Sequence, residues 1–145
     1  MEKRMKKLNL VEKEIPKSEK YNFFGAEDDA PLVLSWGSSK GAILEARELL
    51  QAEGIRLNFL QARLMHPFPA EDFSKLLQKA KRVVDVEMNY SGQLAGIVRE
   101  KTGILIEDLI LKYNGRPMTS DEVYDAIKIT LAGKAAKKQV LNYGD

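Results

Sequence analysis

Residues 31–46 read Pro31-Leu32-Val33-Leu34-Ser35-Trp36-Gly37-Ser38-Ser39-Lys40-Gly41-Ala42-Ile43-Leu44-Glu45-Ala46. The run Leu32-Val33-Leu34 stops at Gly37, the signature of a short strand buried on both faces. Ser38 or Ser39 can cap the helix that follows. That helix repeats Ala42, Ile43, Ala46, Leu49 and Leu50 at the i, i+3, i+4, i+7 spacing of one face, and Gly54 stands where a helix ends. A strand feeding a helix through a tight polar turn is the unit of an α/β fold.

Downstream the unit recurs. Ile55–Leu64 is a second strand candidate. His66-Pro67-Phe68-Pro69 must turn, because each proline drives the preceding residue out of the helical region. Glu71 and Asp72 suit a helix start, with Phe73, Leu76, Leu77 and Ala80 as its stripe. Val83, Val84 and Val86 form a third strand ending at Glu87. A helix near Ser91 carries Leu94, Ile97 and Val98, and Gly103 closes it. A fourth strand centres on Leu109–Leu111. Thr119 and Glu122 fit a capping box opening a last helix, with Val123, Ala126, Ile127, Thr130 and Leu131 as its stripe. The fold class is therefore α/β: three layers, a mostly parallel sheet, helices on both faces.

Upstream, Tyr21, Phe23 and Phe24 suggest a short edge strand. In residues 1–15, Met5, Leu8 and Leu10 make a weak helical stripe that Pro16 ends. Residues 1–20 read as a linker, 21–133 as the domain, and 134–145 as a polar tail that frays.

Composition narrows function. At 145 residues the chain is one domain's worth, and 44% hydrophobic with 30% charged residues is ordinary for a globular protein. With no cysteine and one histidine, the chain supplies no thiolate ligands for zinc or iron–sulfur clusters and almost nothing for a histidine metal site. No apolar run reaches the ~18 residues of a membrane span and no signal-peptide pattern opens the chain, so a cytoplasmic location without membrane contact is expected. Residues 1–20 carry seven basic and four acidic groups, and the middle is net acidic. That pattern fits solvated ends and not a nucleic-acid-binding face.

Two loops carry the polar groups that chemistry or docking would use. In Trp36-Gly37-Ser38-Ser39-Lys40-Gly41 the glycines allow close approach and the hydroxyls can donate, yet neither phosphate-loop fingerprint is present, and a tight capped turn explains the loop equally. Glu87-Met88-Asn89-Tyr90-Ser91-Gly92-Gln93 groups a carboxylate, two amides, a phenol and a hydroxyl at a strand's end. It is either a contact site or a cap in which Asn89 and Ser91 close the helix while Glu87 pairs with a base. Arg63 could hold an anion or a partner's carboxylate, or form a surface ion pair. His66 has no second ligand beside it, and one histidine supports no catalytic triad.

The run Val33–Gly41 followed by Glu45-Ala46 resembles the start of the transketolase C-terminal-like domain in 2-oxoacid:ferredoxin oxidoreductases. Glu87–Leu94 is similar to the E-x-N-x-S-G-Q-L segment of that family's α subunit. His66–Pro69 resembles its P-F-P turn, and Lys3-Arg4…Lys6-Lys7-Leu8 resembles its linker. The resemblance implies a five-stranded sheet with Tyr21–Phe24 as the one antiparallel edge strand, and the strands ending at Trp36 and Glu87 as neighbours. It also implies oxidative decarboxylation of a 2-oxoacid to acyl-coenzyme A with electrons passed to ferredoxin, using thiamine diphosphate, Mg2+ and an iron–sulfur cluster. This chain lacks the pyrophosphate-and-magnesium signature and any cysteine, so it is expected to bind none of these cofactors and no metal. It should contribute no catalytic residue and be inactive alone, serving as an assembly domain against the thiamine-binding β subunit. The residues expected to touch a neighbouring subunit or a small ligand are Trp36, Gly37, Ser38, Ser39, Gly41, Arg63, Glu87, Asn89, Ser91, Gly92 and Gln93. Two alternatives stand beside this reading: a separate anion- or nucleotide-binding module, or the equivalent domain of a transketolase or 2-oxoacid dehydrogenase β chain.

Overall fold

A computed structural model describes residues 1–143. The central sheet runs in the order β1-β3-β2-β4-β5-β6, built from Tyr21–Phe24 (β1), Leu32–Trp36 (β2), Asn58–Ala62 (β3), Val83–Glu87 (β4), Asp108–Leu111 (β5) and Lys138–Val140 (β6). The helices are Glu2–Glu14 (α1), Lys17–Lys20 (α2), Lys40–Ala52 (α3), Ala70–Lys79 (α4), Gln93–Thr102 (α5) and Ser120–Leu131 (α6). Strand β1 lies antiparallel to β3 at one edge, with Tyr21 opposite Ala62; every other pairing is parallel.

The near-continuous apolar strands alternate between two cores. Val33, Phe59, Val84, Val86 and Ile110 meet Ile43, Ala46 and Leu50 of α3 and Val123, Ala126 and Ile127 of α6 on one face. Leu32, Leu34, Leu60 and Ala62 meet Phe73, Leu76 and Leu77 of α4 and Leu94 and Val98 of α5 on the other. Phe59, Phe73, Leu94 and Ile127 are wholly buried. Burial on that scale stabilises by ~1.5–3 kcal/mol per large side chain. Leu49, expected on the buried stripe of α3, is instead 41% exposed, because the core takes only Ile43, Ala46 and Leu50.

Three differences from the sequence reading concern the ends. The sheet has six strands among the described residues, one more than the five expected. The sixth lies in the stretch 134–145 expected to fray. There the amide of Leu109 donates to the Lys137 carbonyl at 2.7 Å, the amide of Leu141 donates to the Leu111 carbonyl at 2.8 Å, and Gln139 Nε2 reaches Thr130 Oγ1 at 2.5 Å. A short polar strand on an edge buries too little to leave a hydrophobic signal. Residues 144–145 of that stretch lie outside the described residues. At the other end α1 is a complete helix with no buried residue. It is tied down by Lys20, whose ammonium, 8% exposed, meets Glu12 Oε1 at 2.9 Å.

Connections then fix where polar groups meet. From β2 the chain moves through α3 outward to β3, then returns through α4 past β2 to β4. The direction of winding reverses between β2 and β4, and at such a point the loops beyond the C-terminal strand ends diverge and leave a crevice.

Candidate functional site: the rim between β2 and β4

Parallel pairing of β2 and β4, with Leu34 beside Asp85, brings both polar loops to one edge of the sheet. Gly37 and Gly92 therefore share a rim, and the strands ending at Trp36 and Glu87 are neighbours as the resemblance implies. Ser35 Oγ donates to the Val86 carbonyl at 2.6 Å beneath it.

Glu87 organises this rim. Its side chain is fully buried, yet it pairs with no base. Oε2 accepts from the Trp36 indole at 2.8 Å and from Asn89 Nδ2 at 2.6 Å. Oε1 accepts from the amides of Leu94 at 2.8 Å and Ala95 at 3.2 Å. Burial alone would raise the Glu87 carboxyl, but the neighbouring Asp85 carboxyl and hydrogen bonds from Trp36, Asn89 and the Leu94 amide outweigh it and hold the group below its ordinary value. The positive end of α5 adds to that preference for the anion.

Asn89 completes the cap. Its Oδ1 accepts from the amides of Gly92 at 2.8 Å and Gln93 at 3.2 Å. The chain enters α5 through Gly92 at φ +69°, and a side chain there would sit 3.4 Å from Leu109 Cδ1. Only glycine takes that left-handed turn without strain. The capping reading thus holds for Asn89 and is extended by Glu87. Ser91 takes no part in it, and α5 starts at Gln93, later than expected from Ser91.

Across the rim, the start of α3 is organised differently. Gly37, at φ +72°, opens a 3-10 turn over Gly37–Ser39. Neither serine caps the helix as expected. Ser38 Oγ instead meets Met88 Sδ at 3.5 Å, which joins the two loops directly. Ser39 Oγ is buried without a hydrogen-bond partner, and Gly41 is exposed.

Arg63 follows β3 on the same edge and makes no ion pair among the described residues. Its guanidinium donates to the Ser18 carbonyl, and its amide donates to the Lys20 carbonyl at 2.9 Å. It fastens the N-terminal segment.

Of the contact residues expected, Trp36, Ser38, Ser91 and Gln93 are exposed on the rim, and the structure adds Met88, Tyr90 and Tyr113 beside them. Trp36 and Met88 are each 37% exposed, while Tyr90 and Tyr113 are more so. Tyr90 and Tyr113 meet edge to face at 5.1 Å, and Lys138 Nζ lies 4.4 Å from the Tyr90 ring centre. Asp85 was also missed. Its signal was a carboxylate in the middle of Val83-Val84-Asp85-Val86, where a strand buried on both faces has no room for a free charge.

No three His, Asp or Glu side chains converge as a metal site would require among the described residues. The rim's one carboxylate hub is already committed to protein donors.

The profile of the pyruvate:ferredoxin oxidoreductase core domain II matches residues 30–123, well over half of the chain. The chain belongs to that family. This chain is similar to the 2-oxoacid:ferredoxin oxidoreductase subunit alpha of Saccharolobus solfataricus, 43% identical over 143 residues, which are 99% of this chain and 22% of that relative. The subunit alpha of 2-oxoacid:ferredoxin oxidoreductase 2 of Aeropyrum pernix is 41% identical over 128 residues, 88% of this chain and 20% of the relative. The chain therefore spans about a fifth of the length of these relatives. Among solved structures, this core domain II is similar to 2-oxoglutarate:ferredoxin oxidoreductase from Magnetococcus marinus, solved with 2-oxoglutarate, coenzyme A and succinyl-CoA bound. The TM-score is 0.77 and the identity 29%, over 87% of this chain and 22% of that one. It also resembles the alpha chain of a probable 2-oxoacid ferredoxin oxidoreductase from Thermoplasma acidophilum, with TM-score 0.56 and 42% identity over 79% of this chain and 98% of that one. A split-gene transketolase at 18% identity and TM-score 0.62 shares the fold. No helix among the described residues is long and apolar enough to cross a membrane.

Proposed function

We propose that this core domain II is a non-catalytic assembly domain of the α subunit in a thiamine-diphosphate-dependent 2-oxoacid:ferredoxin oxidoreductase. In the complete enzyme a 2-oxoacid is oxidatively decarboxylated to its acyl-coenzyme A and electrons pass to ferredoxin. Thiamine diphosphate would supply the carbanion stabilisation from other domains. This domain docks through the rim against the thiamine-binding β subunit and fixes its geometry.

The observation that carries the reading is how the rim uses its groups. Glu87 and Asn89, the residues best suited to acid–base or ligand chemistry, spend their capacity on Trp36 and on the start of α5. Left exposed for a neighbour are Trp36, Met88, Tyr90 and Tyr113, with Ser38, Ser91 and Gln93 beside them. Trp, Tyr and Met are the residues enriched at protein interfaces.

The test is Trp36→Ala with Tyr90→Ala in the complete enzyme. Subunit association measured by native mass spectrometry should weaken by tenfold or more, as for loss of a hot-spot residue. Association and turnover equal to the parent enzyme's would end the docking claim. The unmodified chain alone should show no decarboxylation of pyruvate or 2-oxoglutarate.

A second reading, an anion site at the start of α3, is favoured by the absence of a side-chain cap there and by the unpartnered Ser39 hydroxyl. Calorimetry of the chain with thiamine diphosphate, coenzyme A and ATP separates the two, since the assembly reading expects no tight binding of any of them.

A further inference from the structure

Asp85 is the one buried carboxyl that the rim's architecture leaves unexplained. It sits two residues before Glu87, so both side chains project from the same side of β4, beneath α5, while Val84 and Val86 project toward α3 and α6. Asp85 is 0% exposed, and neither of its oxygens meets an N–H or hydroxyl donor. Leu109 of β5 and Gly92 at the start of α5 pack beside it; a Cβ on Gly92 would lie 3.7 Å from Asp85 Oδ2.

No lysine, arginine or histidine among the described residues pairs with Asp85 or Glu87. Elsewhere the chain treats buried carboxylates differently. Asp108 has Arg82 at 2.8 Å and Lys137 at 3.5 Å, and Glu122 has Lys112 at 2.9 Å. The groups facing Asp85 are Glu87 on its own strand, the uncharged indole of Trp36 beyond it, and the apolar Leu109. Two adjoining carboxyls in such a place cannot both ionise. Glu87 has four protein donors and takes the charge. Asp85 has none, and a neutral acid needs only an acceptor, which Glu87 provides.

We infer that Asp85 is a positioning residue that keeps its proton at neutral pH and donates it to Glu87, so that the pair holds one charge and one proton under the start of α5. The direction of its titration agrees. Burial pushes the Asp85 carboxyl well above the usual carboxylate range, and the neighbouring Glu87 carboxylate pushes it further. The proton braces the carboxylate that carries Trp36 and the first turn of α5. This inference concerns the chain itself and does not depend on the docking role.

The experiment is infrared difference spectroscopy of the whole chain at pH 7 with 13C-carboxyl labels. A protonated-carboxyl band that moves on aspartate labelling, stays on glutamate labelling and is lost in Asp85→Asn is the expected result. Absence of such a band, or a band that moves on glutamate labelling, would overturn the inference. A pH series supplies the second readout. A buried acid raised above its unfolded value stabilises fully at low pH, and that contribution is lost as pH rises toward the folded value. The melting temperature should fall less between pH 5 and 8 in Asp85→Asn, which keeps an N–H for Glu87, than in the parent chain. Equal slopes would count against Asp85. The labelled parent chain decides the matter even if the variant does not fold.

Discussion

Trp36 and Glu87 stand 51 positions apart in sequence, yet the indole N–H of one donates to the carboxylate of the other at 2.8 Å. That bond crosses the point where the sheet reverses its winding. It makes the two polar loops a single surface, and it sets the first prediction.

Glu87→Gln keeps the size of the side chain but exchanges one acceptor oxygen for a donor. In either amide orientation, donors then face donors, either at Trp36 and Asn89 or at the amides of Leu94 and Ala95. A buried unsatisfied donor costs about 1–3 kcal/mol. Urea denaturation should show a loss of at least that size. Emission of the chain's one tryptophan should move to the red as Trp36 is released.

Gly92→Ala places a side chain at φ +69° and 3.4 Å from Leu109 Cδ1. The left-handed backbone alone costs a non-glycine residue roughly 1–2 kcal/mol. A melting temperature within error of the parent's would show that α5 begins in some other conformation.

Lys112 is 1% exposed and bonds Glu122 and the Pro117 carbonyl. Removing one member of a buried pair costs about 3–5 kcal/mol. Lys112→Met should therefore be strongly destabilising at pH 7. Burial would raise the Glu122 carboxyl, but the Lys112 ammonium, the Thr119 amide and hydroxyl outweigh it and lower the group. A lowered acid stabilises above its unfolded value and loses that contribution as pH falls through the folded one. The gap between Lys112→Met and the parent should thus narrow below pH ~4.5, read from denaturation curves at pH 7 and 3.5.

The C-terminal strand makes a prediction about hydrogen exchange. The amide of Leu109 donates to Lys137, so it should be protected as an interior ladder amide is. Gln139→Ala removes the contacts to Thr130 Oγ1 and the Ala126 carbonyl. It should cost about 1 kcal/mol and speed exchange at Leu109. Unprotected Leu109 in the parent chain would place 138–140 off the sheet.

The strands and helices between Leu32 and Leu131 were legible because their signals are dense and local. Val83-Val84 and Leu109-Ile110-Leu111 are apolar on both faces, and Thr119 with Glu122 forms the capping box that their spacing suggests. Lys138–Val140 was not legible, because an edge strand held by β5 and by Gln139 needs no apolar residue of its own. In the rim, the positions of Trp36, Glu87 and Asn89 were legible and their bonds were not. Spacing leaves Glu87 either a contact residue or half of an ion pair, whereas it gathers an indole, an amide side chain and two backbone N–H groups, donors that carry no charge and leave no mark at a fixed spacing.

The sequence by itself determined the alternation of strands and helices, the absence of cysteine ligands, and the motifs that resemble an oxidoreductase α subunit. Periodicity and residue type act within a few positions of each other, and one chain records them fully. Tertiary structure alone decided that β4 lies beside β2, and so which donors reach Glu87. It also decided that Asp85 is sealed beside Glu87 with no cation in reach. Such outcomes depend on distances between residues far apart in the chain, and on how much water is left around a charge, neither of which a local pattern encodes.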